Sequence, residues 1–356
     1  MSVKTIDAIA TASVKTVDAI AVASVKTFNG IAMPATGAHV IIAHTTSPYV
    51  SAYPWSAAGF GVKYSDPATL PTGDGKGVTF SANGAYVAVA HTTTPYVSAY
   101  PWSAGFGTKY SDPATLPTGD GKGVAFSADS AYVAVAHATS PYVSVYPWSA
   151  GFGTKYADPA TLPTGECRDV AFSPSGADIA VAHLTTPFVS AYPWSAGFGT
   201  KRSDPATLPA GNGEGVLFSP SGADIAIGHA TTPRIAAYPW SAGFGTKYSD
   251  PASLPAGAGG VAFSPSGADI AMGHANTPFI SAWPWSAGFG TKYGNPATLP
   301  AGTGEDIAWS AAGTEVGVAH GTTPFVSVYP WSAGFGTKFS NPATLPAGGG
   351  FSIAFI

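Results

Sequence analysis

The chain alternates short apolar runs with turn residues from about residue 30 to its end, and the runs have the length and period of strands. One unit shows the order. DVAFSPSG, from Asp169, is an apolar run closed by a Ser-Pro-Ser-Gly turn, and ADIAVAH follows as a second strand. A Thr-Thr-Pro turn leads into FVSAYPWS, where Val189 and Ala191 fall on one face and Phe188, Ser190 and Tyr192 on the other. GFGTKRSD is expected to be a fourth strand, and DPATLPAG links to the next unit. No sustained 3.6-residue apolar period competes with this reading, so the expected class is all-β.

The histidine closing each second strand falls at His44, His91, His137, His183, His229, His274 and His320, with successive separations of 47, 46, 46, 46, 45 and 46 residues. Seven copies of a unit this long predict a seven-bladed β-propeller. The first strand of the unit recurs an eighth time as FSIAFI at the C-terminus. One copy is therefore surplus, and the C-terminal strand, Phe351 to Ile356, is expected to enter the first or last blade and lock the ring, since an open ring would leave unpaired strand edges.

Residues 2 to 34 carry a shorter period, SVKTIDAIATA, SVKTVDAIAVA and SVKTFNGIAMP. An eleven-residue repeat can make a right-handed coiled coil. The Val, Ile and Thr content and the Asn29-Gly30 turn pair favour short β-hairpins instead. The domain organisation read from this is a stem over 1-29 and a propeller over 30-356. The stem is expected to serve attachment or self-association through Val3, Ile6, Ile9, Val14, Val17 and Ile20, because isolated hairpins are marginal in water.

Composition narrows the function. Only 10% of residues are charged and the net charge is −4, which leaves no field to hold nucleic acid or an anionic membrane. The single Cys167 excludes an intramolecular disulfide and a cysteine cage for a metal. No signal peptide and no membrane span are expected. The 44 glycines and 32 prolines recur at fixed places, as turn chemistry does.

Three recurrent side chains invite chemistry. The seven histidines, one per blade, should form a wide ring rather than a cluster, so a hydrogen bond to the following Thr/Ser turn is the simpler reading and no metal site is expected. Trp55, Trp102, Trp148, Trp194, Trp240, Trp285 and Trp331 follow Tyr-Pro or Trp-Pro. They suit packing between blades, or glycan and receptor contact by stacking of sugar faces on the indoles. The lysines from Lys63 to Lys338 suit an exposed edge that discourages sheet aggregation. GDGKGV at Gly73 and Gly119 lacks the spacing of a phosphate loop. Glu166-Cys167-Arg168 and Glu305-Asp306, the clearest breaks in the repeat, are slight for an active site, so neither an enzyme nor a cofactor is expected.

The run DVAFSPSGADIAVAH, a turn and FVSAYPW resembles the WD-repeat and related propeller families over roughly residues 30 to 356, with Tyr-Pro-Trp where Trp-Asp would stand. AHxTxPxVxxY with F-G-T-K and D-P-A-T-L-P resembles repeats of bacteriophage and prophage proteins, and the SVK repeats are similar to tandem repeats of phage virion proteins. That resemblance implies a non-enzymatic virion component located in the particle, such as a fibre, tail tip or capsid decoration, with other virion proteins as partners of the stem and a cell-surface glycan or receptor as partner of the propeller. A cellular carbohydrate-binding or protein-scaffolding propeller, self-associating as a homo-oligomer, is the alternative.

Overall fold

The computed structural model describes residues 38–356 together with the strand pairs at 16–17, 20–21, 27–28 and 31–32. The chain divides into two compact units, Met1–Thr36 and Gly37–Ile356. In the first, Thr16–Val17 pairs with Ile20–Ala21 and Thr27–Phe28 with Ile31–Ala32, both antiparallel. Val17 and Ile20 are register partners, whereas Val3, Ile6, Ile9 and Val14 lie outside the described residues.

The second unit is a seven-bladed β-propeller of antiparallel sheets. Blade 1 is closed by the two ends of the unit: Gly350–Phe355 is its inner strand and pairs with Ala38–His44, which pairs in turn with Val50–Ser56. The inner strands of blades 2 to 7 are Gly75–Phe80, Gly121–Phe126, Cys167–Phe172, Gly213–Phe218, Val261–Phe263 and Gly304–Trp309. The surplus copy of the inner strand thus lies at the N-terminal side, where Thr27–Phe28 and Ile31–Ala32 form a pair of their own.

Closure reaches beyond the backbone ladder. The Tyr53 hydroxyl donates to the Thr344 carbonyl at 2.9 Å, the same bond that Tyr100 makes to Thr69 within its own repeat. The Val78 N–H donates to Ser352 Oγ at 3.2 Å, and Ser352 Oγ donates to Asp306 Oδ2 at 2.9 Å, so one hydroxyl ties together blades 2, 1 and 7.

The expected fourth strand is reduced to two residues in blade 1, Gly59–Phe60, and to a single bridging pair in the others, such as Trp194 with Phe198. The cause is local. In blades 2 to 7 the third strand ends on a proline, which has no N–H to offer a further strand. Ala196 and Gly197 then turn the chain at positive φ, and Gly199 closes onto the Pro193 carbonyl at 2.8 Å.

The core lies between neighbouring sheets. Between blades 4 and 5, Ala171, Ala180 and Ala182 meet Val216, Ile225 and Ile227, small residues against branched ones. This pairing allows the closely spaced twisted sheets to pack without voids.

Candidate functional site

The recurrent residues are absorbed by the scaffold. The seven indoles are between 4% and 7% exposed and pack edge to face on neighbouring aromatics, as Trp194 does on Phe198, Tyr156 and Tyr132. With rings so covered, a pyranose has no open indole face to stack on. Three of them also donate a hydrogen bond to a carboxylate of the preceding blade: Trp240 to Asp178, Trp285 to Asp224 and Trp331 to Asp269.

The histidines are fully buried, and in six blades Nε2 lies 3.0 Å from a serine Oγ on the next strand, for example His183 from Ser190. The following turn supplies the second partner: His274 Nδ1 is 2.8 Å from the Asn276 carbonyl and His320 Nδ1 is 2.8 Å from that of Thr322. A carbonyl accepts only, so Nδ1 carries the proton in these two and Nε2 accepts from serine. Each recurrent lysine contacts the Asp or Asn three residues on, from Lys63 with Asp66 to Lys338 with Asn341.

What the recurrent positions leave over is one position of the inner strand. Reading it blade by blade from blade 1 gives Phe351, Lys76, Lys122, Arg168, Glu214, a gap at Gly259, and Glu305. In a chain that repeats itself so closely, this position varies in charge, size and polarity. Each of these six side chains stands at a β-bulge, on the unpaired residue between two ladder partners, as Lys76 does between Gly75 and Gly77. They line a central cavity of about 460 Å³ and a second chamber of about 320 Å³ at its mouth.

The ring is electrically polar. Lys76, Lys122 and Arg168 form a cationic arc over three consecutive blades, and Glu214 and Glu305 flank the gap. Glu166, from the rim, lies 3.7 Å from Lys122 and 3.2 Å from Arg168, and the Arg168 Nε lies 3.8 Å from Glu214. Lys76 lies 3.4 Å over the Phe351 ring and 3.8 Å from Asp74. Burial lowers the Lys76 ammonium below its usual range, with Asp74 opposing the shift. Burial also raises Glu214, against the pull of Arg168, and raises Glu305, against that of Lys76. No ion pair within 4 Å holds Glu305 among the described residues.

Below the ring the next position is glycine in blades 2, 3, 5 and 6. The inner strands approach so closely there that a Cβ on Gly77 would sit 3.0 Å from the Gly123 Cα. Asp169 and Asp306 occupy the same position in blades 4 and 7. Asp169 accepts from the N–H groups of Val170 and Val216, and Asp306 from those of Ile307 and Ile353, each bridging two blades. Burial pushes Asp169 up to about 7 and raises Asp306.

No protein-family model matches the chain, and no curated protein is a detectable relative. Solved structures do match. A "putative 6-phosphogluconolactonase" of Bacteroides fragilis is 13% identical with a TM-score of 0.72, over 90% of this chain and 98% of that one. Its counterpart from Bacteroides uniformis is 14% identical with a TM-score of 0.68, over 90% and 99%. The periplasmic gluconolactonase of Pseudomonas aeruginosa is 14% identical with a TM-score of 0.69, over 90% and 99%. At such identities the likeness is one of fold.

These neighbours correct the functional expectations. The propeller with which this chain shares its architecture is that of proteins described as lactonases, not of virion components. The readings as a phage fibre, tail-tip or capsid-decoration protein, as a chain without enzymatic activity, and as a constituent of the virion are withdrawn. The breaks at Glu166-Cys167-Arg168 and Glu305-Asp306, set aside as slight, fall on the channel ring and its immediate neighbours.

Proposed function

We propose that the chain is a lactone hydrolase whose active site is the channel ring, with a sugar-acid lactone as substrate. The observation that carries this is the segregation of Lys76, Lys122 and Arg168 from Glu214 and Glu305 around one cavity. Lactone opening needs such a polarity: a base to take a proton from water, and positive charge where the carbonyl oxygen becomes an oxyanion.

Glu305 is the base, because burial raises it and no ion pair holds it. Its carboxylate takes a proton from a water molecule as that oxygen bonds to the lactone carbonyl carbon. The carbonyl electron pair moves onto oxygen, facing Lys122 and Arg168. When the pair returns, the ring C–O bond breaks and the departing alkoxide takes the proton back from Glu305. One water is consumed and one hydroxy acid is released. Glu214, held by Arg168, orients that guanidinium. Lys76, held against the Phe351 ring, favours substrates carrying a negative group.

The test is lactone hydrolysis above the spontaneous rate, followed with D-glucono-δ-lactone and its 6-phosphate in a pH-stat. Glu305→Gln is expected to lower kcat by about 100-fold or more. A wild-type rate equal to the spontaneous one, or a Glu305→Gln rate equal to wild type, removes the proposal.

A further inference from the structure

The ring is complete on six blades and open on the seventh. Blade 6 reaches its inner strand one residue early: Glu214 and Glu305 are 91 residues apart, one short of two repeats. Its strand begins only at Val261, and no side chain stands where the other six blades place one. The residue that blade 6 lacks is the one standing at the β-bulge of the inner strand in the other six, and Gly260 pairs directly with Gly273 at 3.0 Å. A Cβ on Gly259 would lie 2.2 Å from the Gly273 carbonyl oxygen and 2.8 Å from that of Gly304, so only glycine fits. The Gly260 N–H bonds to the Glu305 carbonyl at 2.9 Å, and the Gly304 N–H to that of His274 at 3.1 Å, which ties the shortened segment to blade 7.

The rim above the ring shares this asymmetry. Blades 2 to 5 carry Asp74, Asp120, Glu166 and Asn212 there, whereas blades 6, 7 and 1 carry Ala258, Thr303 and Gly349. The 320 Å³ chamber opens over the small ones, lined by Ala258, Gly259, Ala275 and Thr303 together with the ring side chains. In a sevenfold ring the gap at blade 6 lies half a turn from the boundary between blades 2 and 3. Lys76 and Lys122 therefore face it across the channel, and Glu214 and Glu305 stand on its two sides.

We infer that the open sector over blade 6 is a subsite for a second, neutral sugar residue, so that the preferred substrate is the lactone of a disaccharide acid rather than of a single sugar acid. A lactone with its oxyanion toward the cationic arc can extend a substituent into this sector, the one place in the ring without a side chain. Carboxylates on both sides accept from sugar hydroxyls and repel an anionic substituent, while Ala258 and Ala275 suit the apolar face of a pyranose. Central cavity and chamber together exceed what one six-carbon ring fills. The inference rests on the lactone-hydrolase reading for the chemistry and on the gap for the subsite.

Because the two can fail separately, the experiment measures binding apart from turnover. Calorimetric titration of the intact chain with gluconate and with lactobionate, both stable product acids, is expected to give lactobionate at least tenfold tighter binding. Ala258→Leu, which fills the chamber, should bring the ratio of the two affinities to about one. Thr303→Val, which removes a hydroxyl with little change in volume, should lower the ratio part of the way and covers the case in which the leucine variant does not fold. Equal affinities in the wild type, a ratio unmoved in folded variants, or no binding of either acid overturns the inference. Hydrolysis of gluconolactone without selectivity leaves the lactonase reading intact and removes the subsite. Selective binding of lactobionate without hydrolysis of either lactone leaves the subsite and removes the lactonase.

Discussion

The Trp240 indole N–H donates to Asp178 Oδ2 at 3.2 Å across the boundary between blades 4 and 5, 62 residues apart in the chain. The other oxygen of the same carboxylate accepts from Arg202 at 2.7 Å, so one buried acid holds its own blade's linker and the next blade's indole. Asp224 repeats the arrangement with Tyr248 and Trp285, and Asp269 with Tyr293 and Trp331. In earlier blades the equivalent position is Tyr86 or Tyr132, which meets the next indole edge to face, and Trp148 and Trp194 then have no acceptor for Nε1. The propeller thus uses a polar clamp on one side and an aromatic one on the other.

Removing the polar clamp has a definite cost. Asp178→Ala strands the Trp240 N–H and the Arg202 guanidinium, and is expected to lower stability by about 2–3 kcal/mol, the range for hydrogen bonds to a charged partner. Asp178→Asn retains one acceptor and should cost roughly half of that. Guanidinium unfolding followed by tryptophan fluorescence checks both. A loss within error of zero for the alanine variant would make the clamp incidental.

A complementary gain is expected in blade 5. His229 is fully buried, and the serine that serves the other six histidines is replaced by Ala236, leaving Nε2 without a partner. Ala236→Ser adds one hydroxyl where His183 and Ser190 show that it fits at 3.0 Å. The variant should be more stable by about 1 kcal/mol, with Ser190→Ala less stable by a similar amount. If Ala236→Ser is destabilising, the blade 5 site is packed more tightly than its equivalents.

The ring number, the all-β class and the closure by the C-terminal strand were legible because each is a property of what recurs: histidines 46 residues apart and an extra copy of one strand. The site was not legible in the same way, for the same reason. Searching for repeated side chains singles out tryptophan, histidine and lysine, whose regularity comes from the packing every blade must solve. The proposed chemistry sits where sevenfold symmetry is broken, at Lys76, Lys122, Arg168, Glu214, Glu305 and Phe351. Aligning the blades and asking which position changes charge would have exposed it. Glu305-Asp306 is a slight departure by the number of residues changed, but it falls at the same place in the unit as Arg168-Asp169. The fourth strand is absent from blades 2 to 7 for a local reason, the proline that ends their third strands.

Closure should be separable from blade folding. Deleting residues 350–356 removes the inner strand of blade 1, leaves Ala38–His44 as an unpaired edge, and takes the Ser352 acceptor from the Val78 N–H. The truncated chain is expected to lose its cooperative unfolding transition and to associate through the exposed edge. Light scattering after size-exclusion chromatography reads the association. Ser352→Ala, which keeps the strand and loses only the three-blade link, should remain unassociated and be less stable by about 1–2 kcal/mol. A truncated chain that stays monomeric and cooperative would mean that the ring does not depend on this fastening.

Stability should fall steeply in mild acid. Burial above all lowers His44, His91, His137, His183, His229, His274 and His320 to about 4, whereas in the unfolded chain they titrate near 6.5. Between those values the unfolded state binds more protons, so their contribution is fully present above about pH 6.5 and is lost as pH falls toward 4. Each imidazole that stays neutral in the fold contributes a slope of about 1.4 kcal/mol per pH unit in that window. Asp169, raised by burial to about 7, has the opposite sign: its contribution is present at low pH and is lost as pH rises toward 7. Asp306, Glu214 and Glu305, raised by burial as well, share that sign, and these four carboxyls lessen the trend set by seven imidazoles without reversing it. The unfolding free energy obtained from urea titrations between pH 7.5 and 4.5 should therefore drop steeply, by about as much as the whole stability of an ordinary domain if all seven stay neutral, so that the fold is lost before pH 4.5. A serine-linked pair such as His183 with Ser190 should lose its share of that slope in His183→Gln, which keeps a side-chain polar group but cannot take up the proton. Midpoints that are flat from pH 7 to 5 would show that the imidazoles take up protons in the folded protein as they do in the unfolded chain.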